Sequence, residues 1–205
     1  MISAAEVIGS EVRLFRGDQV IVLSLSDASV IYNGQTTLHG SFAKVPPKFA
    51  NGIDGAYLVG GDIRLFRGGR LVVISTTNGS CTYNGTITGH GAHAKVTADF
   101  SQDIDDVIHI GSDVRMFKGD RLLVLSASNG SVTYDGLITQ HPSFTKLPAD
   151  FSGDFDAVHS VYQEECRLFR GDRLVVLSWR DGHVVYDGPT IKHASYANLP
   201  ASWLS

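Results

Sequence analysis

Apolar residues come along this chain in short bursts bounded by glycines, not in long stripes. In the best-framed stretch, residues 53–59 are mostly apolar and close on Gly60-Gly61, Asp62–Arg67 mixes charge with Leu65 and Phe66, and Gly68-Gly69 leads into Arg70–Ser75. Runs of this length between glycines predict strands. The Gly-Gly pairs supply the positive φ of tight hairpins. Leu71-Val72-Val73-Ile74 is apolar at every position, which predicts a strand covered on both faces. Asn78-Gly79 turns the chain into residues 80–84, and residues 85–88 read as a fourth, outer strand or its continuation. Residues 92–100 lose the alternation and predict a short helical turn.

The same pattern occurs four times. Arg13-Leu14-Phe15-Arg16-Gly17 returns at Arg64, at Arg115 and at Arg167, in steps of 51, 51 and 52 residues. Tyr32, Tyr83, Tyr134 and Tyr186, each two residues before a glycine, keep the same step, as do His39, His90, His141 and His193. The units are residues 1–51, 52–102, 103–153 and 154–205, read together as one domain. A period near 50 of short strands and glycine turns marks a propeller-type repeat. Because the third strand is apolar on both sides, each sheet needs a neighbour on each face, and a closed ring provides that. An open stack would require polar capping repeats, which the nearly uniform first and last units lack. The expected fold is all-β: a four-bladed β-propeller of four-stranded antiparallel blades with short rim helices.

Composition narrows the partners. The chain has 205 residues and a formal charge of −4, with basic residues spread through the repeats, so nucleic acid is not an expected partner. No run approaches the roughly 20 apolar residues of a membrane helix, and the first residues have neither a basic start nor an apolar core of signal length. A cytoplasmic protein without membrane association is expected. Cys81 and Cys166 occupy different places in the repeat and read as buried thiols.

The repeats resemble the hemopexin-like family. The likeness lies in Ile53-Asp54-Gly55-Ala56, Ile104-Asp105-Asp106-Val107 and Phe155-Asp156-Ala157-Val158, which are similar to that family's Asp-Ala-Ala opening. It extends to Leu-Phe-Arg-Gly-Asp before an apolar strand, and to Leu147-Pro148-Ala149-Asp150-Phe151 and Leu199-Pro200-Ala201-Ser202-Trp203 near the ends of units. The resemblance covers the whole chain. It implies a four-bladed propeller around a narrow channel, with a cation such as calcium or sodium near Ser3, Asp54, Asp105 and Asp156, bound mainly by backbone atoms. Ser3 departs from the acidic pattern. The cysteine pair that commonly joins first and last blades in secreted members is missing, which points toward seed-albumin-like or intracellular members, with heme or polyamine as ligand and a homodimer as the assembly. Closure is then noncovalent, through residues 199–204 on the first blade.

A residue kept in all four copies is most simply explained by the fold, while a break in the pattern is where a single site can hide. The four histidines admit three readings: a local hydrogen bond, four equal surface ligand sites such as a lectin would use, or one shared metal. Arg13, Arg64, Arg115 and Arg167 stand opposite Glu6, Tyr57, Ile108 and His159 by simple hairpin pairing. Strand-to-strand pairing is expected there. Asp54, Asp105 and Asp156 fall near Arg67, Lys118 and Arg170, as one internal ion pair per blade. Arg16-Gly17-Asp18 and Arg170-Gly171-Asp172 read as hairpin turns.

The breaks are more pointed. Glu6, Tyr57, His109 and His159 lie on innermost strands and would give one channel mouth an asymmetric, polar lining suited to a small ligand. The fourth unit carries the extra residue, within residues 160–166, where Tyr162, Glu164 and Glu165 suit a cationic ligand such as a polyamine through charge and ring-face attraction. The plain alternative is a loop tolerating an insertion. No Gly-x-Ser-x-Gly elbow, His-Glu-x-x-His, P-loop or Cys-x-x-Cys occurs. The sequence therefore reads as a ligand-binding protein with a channel ion and a small molecule such as heme or a polyamine. A multivalent lectin and a small-molecule enzyme working at the asymmetric mouth are the alternatives.

Overall fold

The computed structural model describes residues 1–204, and each repeat folds into one four-stranded antiparallel sheet. The first blade contains β1 (Ala4–Ile8), β2 (Glu11–Arg16), β3 (Gln19–Ser24) and β4 (Val30–Gln35). The second contains β5 (Gly55–Val59), β6 (Asp62–Arg67), β7 (Arg70–Ser75) and β8 (Cys81–Thr86). β9 (Asp106–Ile110), β10 (Asp113–Lys118), β11 (Arg121–Ser126) and β12 (Val132–Leu137) form the third. β13 (Ala157–Val161), β14 (Glu165–Arg170), β15 (Arg173–Ser178) and β16 (Val184–Pro189) form the fourth. The strands of every sheet lie in sequence order, as consecutive hairpins dictate.

The innermost strands close the ring: β1 lies beside β5 and β13, and β9 beside β5 and β13. The cores sit between the blades. Phe15, Val20 and Val22 of the first blade pack on Leu65, Val72 and Ile74 of the second, with Phe42 and Phe49 of the connecting segment between them. Equivalent sets join the second blade to the third and the third to the fourth. This is why the third strands are apolar at every position: alternate side chains enter two different cores. Each side chain so buried contributes roughly 1.5–3 kcal/mol. The ring is sealed where Leu199, Trp203 and Tyr196 join Val12, Ile21 and Leu23 against Leu174 and Val176, the noncovalent closure expected of the last segment.

Some details differ from expectation. The first strand of the second blade begins at Gly55, and residues 53–54 form its lead-in, with the Asp54 amide bonding the Phe66 carbonyl. Residues 81–86 make one outer strand, and a register shift recurs at the same point of every β3-type strand, at Val22/Leu23, Val73/Ile74, Val124/Leu125 and Val176/Leu177. Such a bulge bends and twists the outer strand. The rim has short 3₁₀ turns, such as Ile87–Gly89, Gly91–His93 and Ala98–Phe100, with one α-helical turn at Pro47–Ala50. Three-residue 3₁₀ turns suit connectors too short for a helix to propagate. Both cysteines are free, but only Cys166 is buried; Cys81 is exposed, because alternate residues of an outer strand face solvent.

Candidate functional site

The repeated rim residues explain one another. Tyr32, Tyr83, Tyr134 and Tyr186 fold back over the glycine two residues on and donate their hydroxyls to the carbonyls of Gln35, Thr86, Leu137 and Pro189, at 2.6–2.8 Å. A Cβ on Gly34 or Gly136 would lie 2.9 Å from the tyrosine hydroxyl, so the ring needs glycine there. The four histidines stand edge-on to these rings, with centroids 4.9–5.0 Å apart. Nδ1 of His39, His141 and His193 accepts the amides of Ser41, Ser143 and Ser195 at 3.2–3.3 Å, capping the next turn. His90 instead pairs with His93, Nδ1 to Nδ1 at 3.3 Å. Desolvation, then the nearby arginines, holds all four imidazoles below their ordinary pKa, that of His141 at about 4. The arrangement is that of local hydrogen bonds. Each histidine belongs to its own blade, and among the described residues no group of three or more His, Cys, Asp or Glu side chains is arranged to hold a metal ion.

Hairpin pairing sets Arg13, Arg64, Arg115 and Arg167 opposite Glu6, Tyr57, Ile108 and His159, as expected. Their charge partners, however, lie two residues back on the same strand. Arg13 meets Glu11 at 2.7 Å, Arg115 meets Asp113 at 3.5 Å and Arg167 meets Glu165 at 2.9 Å. Residues i and i+2 of a strand share a face, so this pairing is local. Arg64 instead donates to the Tyr57 hydroxyl at 2.5 Å.

Tyr57 and His159 are not exposed at the channel mouth. Both are fully buried, and each belongs to a tyrosine–histidine pair: Tyr57 Oη lies 3.0 Å from His93 Nε2, and His159 Nε2 lies 2.6 Å from Tyr196 Oη. The two pairs are reciprocal, since tyrosine and histidine exchange positions between the second and fourth blades. Desolvation, followed by the adjoining arginine, drives His93 and His159 each to about 3, so both imidazoles are neutral. His93 stands where the other repeats have Phe42, Phe144 and Tyr196, a break in the pattern that the sequence reading passed over.

At one end of the channel, Ser3, Asp54, Asp105 and Asp156 line a single depression of ≈ 300 Å³. Their side chains are already used. Asp54, Asp105 and Asp156 accept the amides of Gly68, Gly119 and Gly171 at 2.5–2.6 Å, and Ser3 donates to the Ile53 carbonyl at 2.8 Å. The expected ion pairs with Arg67, Lys118 and Arg170 are replaced by hydrogen bonds from those cations to backbone carbonyls of Lys48, Asp99, Gln102, Gly153 and Asp150. Carboxylates bound to hairpin amides hold turns, and among the described residues these side chains form no metal-binding group; the channel cation that the resemblance implies would rest on backbone oxygens.

Deeper in the channel lies a carboxylate that the repeat pattern conceals. Asp106, at a position where the other blades have Ala4, Gly55 and Ala157, is fully buried and accepts the amides of Val107 at 2.7 Å and Val158 at 2.5 Å. Gly55 leaves room for it, because a Cβ there would stand 3.0 Å from Asp106 Oδ1. Desolvation pushes Asp106 well above the usual carboxylate range, and the charge of Glu6 adds a smaller push. The signal was the second aspartate of Asp105-Asp106, which breaks the small-residue position.

The opposite mouth is a depression of ≈ 230 Å³ lined by Glu6, Ile108, His109, Ser160 and Tyr162 among others. Glu6 Oε1 accepts the Leu58 amide at 3.0 Å, and desolvation raises its carboxyl to about 8 against that bond and the field of Arg13. His109 lies face to face with Tyr57, centroids 6.0 Å apart, and desolvation lowers its imidazole. Beside this mouth, a groove of ≈ 370 Å³ between the fourth and first blades is lined by Tyr162, Glu164, Glu165 and Arg167 among others. Tyr162 is exposed and borders both. The extra residue of the fourth unit sits in the β13–β14 turn, where Tyr162 and Gln163 adopt φ of 48° and 59°. Of the two acids here, Glu165, the first residue of β14, is committed to Arg167, and Glu164 in the turn is exposed.

No family model and no curated protein matches the chain. Solved structures do. The hemopexin fold protein CP4 from cow pea is 20% identical, with a TM-score of 0.82 over 98% of this chain and 99% of that one. A plant albumin from Cicer arietinum described as showing hemagglutination, and a plant lectin with two metal binding sites from the same plant, are each 20% identical, with a TM-score of 0.79 over 98% and 99% of the two chains. The chain thus has the four-bladed hemopexin fold that its repeats resemble.

Proposed function

We propose that this chain is a non-enzymatic binding protein whose ligand is a small organic cation, of the polyamine class, held across the channel mouth and the adjoining groove. The carrying observation is Tyr162: one exposed aromatic ring borders two depressions, one with Glu6 at its wall and the other with Glu164 and Glu165. An extended amine can set one ammonium against Glu6, pass over the ring and set another against Glu164. The fold neighbours' descriptions concern albumins and a lectin, which supports binding as the activity. Sugar binding at four repeated rim sites is less well supported, since the rim histidines are engaged with their own tyrosines and turns. A heme site is also less well supported, because His159 is shut away on Tyr196.

The reading carries a pH signature. A cation beside Glu6 favours its ionised form, so binding releases a proton while the free carboxyl, at about 8, is still protonated. Calorimetry with spermidine is expected to show one site per chain, with affinity rising from pH 6 to 8.5 and proton release that disappears in Glu6→Gln. Tyr162→Ala and Glu164→Gln should each weaken binding by about tenfold. Absence of heat at millimolar spermidine, or a Soret band on adding hemin that Tyr162→Ala leaves unchanged, would overturn the proposal.

A further inference from the structure

A further cavity of ≈ 460 Å³, away from the amine site, lies at the junction of the first and second blades, lined by Lys48, Phe49, Asp54, Arg67 and Arg70 among others. Its meaning comes from the sister junctions. Entering the third blade, Arg121 is held between two carboxylates, with Nη1 3.0 Å from Asp99 and Nη2 on Asp135. Entering the fourth, Arg173 is held in the same way: Nη1 lies 2.6 Å from Asp150, and Nε and Nη2 lie 2.7 and 2.8 Å from the two oxygens of Asp187. Entering the first, Gln19 replaces the arginine, with Asn33 and Ser202 in place of the acids. At none of those three junctions do the cations outnumber the acids.

At the remaining junction the arginine is kept and both acids are gone. Lys48 stands where Asp99 and Asp150 stand, and Asn84 where Asp135 and Asp187 stand. Asn84 Oδ1 still accepts from Arg70 Nη2 at 2.9 Å, but the amide offers one acceptor oxygen where the Asp187 carboxylate offers separate oxygens to Nε and Nη2 of Arg173. Arg70 Nε is accordingly buried without a hydrogen-bond partner among the described residues. Arg67 reaches into the same space and holds the Lys48 carbonyl, while Asp54, the lining acid, is engaged by the Gly68 amide at 2.6 Å. Three cationic residues and one carboxylate thus line a concavity where the third- and fourth-blade junctions supply two further acids.

We propose that this cavity binds a small molecule through a phosphate monoester group, seated between Lys48 and Nη1 of Arg70 where the later blades place the Asp99 and Asp150 carboxylates. A dianion answers the excess of cations, and guanidinium with ammonium is the donor set that phosphate oxygens match. This site is independent of the amine site at the channel mouth.

Phenyl phosphate is the probe, followed by amide chemical shifts and calorimetry on the full chain at low ionic strength, with benzoate as the monoanionic comparison. Shifts are expected at residues 48–54 and 67–70, with phenyl phosphate binding at least about tenfold tighter than benzoate. The double variant Lys48→Asp/Asn84→Asp installs the residue set of the later blades, and should keep the fold by circular dichroism while weakening phenyl phosphate at least tenfold. Lys48→Gln, at an exposed position, gives the same readout without a charge reversal. Equal affinity for benzoate, unchanged binding in the double variant, or shifts elsewhere at millimolar phenyl phosphate would each overturn the proposal. Tyr162→Ala should leave phenyl phosphate binding unaffected, which separates the two sites.

Discussion

Glu6 shows how one side chain can set a pH profile. Its carboxyl sits at about 8 in the folded chain against an ordinary 4.5, because the channel mouth strips water from the anion. The folded state therefore holds this proton more tightly than the unfolded chain. Its contribution to stability is complete below pH 4.5, declines as pH rises and is lost above about 8. Urea unfolding between pH 5 and 8.5 should show falling stability, and Glu6→Gln should flatten the profile by on the order of 4 kcal/mol, each of the roughly three pKa units crossed being worth about 1.4. Asp106 acts in the same sense, so part of the slope should persist; an unflattened profile would remove Glu6 from the account. Glu6 was legible because it breaks the repeat. Asp106 was not, since a neighbouring aspartate occupied the expected acidic position and only the channel shows which of the two is buried. The arginine partners were misjudged for a different reason: the facing residue was read correctly, but the same-face neighbour two residues back was closer.

At the scale of elements, the hairpins follow from glycine placement, and the β13–β14 turn, on which the proposed amine site rests, is the exception. In the other blades the innermost hairpin turns through Gly9-Ser10, Gly60-Gly61 and Gly111-Ser112, and the carbonyls of Ser10, Gly61 and Ser112 each accept an amide just after the third strand. Glu164 supplies the same carbonyl to Trp179 at 2.8 Å, so the turn keeps its anchor and carries the extra residue ahead of it. Two non-glycine residues in left-handed conformation cost roughly 1–2 kcal/mol each. Replacing Tyr162-Gln163-Glu164 with Gly-Ser should therefore raise stability by about 1–2 kcal/mol in urea unfolding while abolishing spermidine binding; a loss of stability would show that the turn is relaxed. The outer strand, by contrast, was blurred in the sequence, because its one wet face and its bulge leave too few apolar positions to mark its ends.

Across the whole molecule, the junction between last and first blades decides whether four sheets become one body. Trp203 and Leu199 are nearly buried there, with Val12, Ile21 and Leu174 around them. Trp203→Ala should cost about 3–5 kcal/mol, with the loss appearing in one cooperative transition, since opening one junction exposes apolar faces on both neighbouring blades. A separate early transition confined to the fourth blade would argue against such coupling.

By itself the sequence determined the number of blades, the strand order within each and the apolar third strands, because these depend on local periodicity and on glycine at turns. It also identified Glu6, His109 and Tyr162 as departures from a four-fold background. Only the tertiary structure decided which departures are exposed: it buried Tyr57 and His159 in reciprocal pairs, placed Asp106 in the channel, and set Lys48 and Asn84 on either side of Arg70. Those outcomes depend on residues from neighbouring blades meeting across a closed ring, and distance across a ring is not written in the order of residues along a strand.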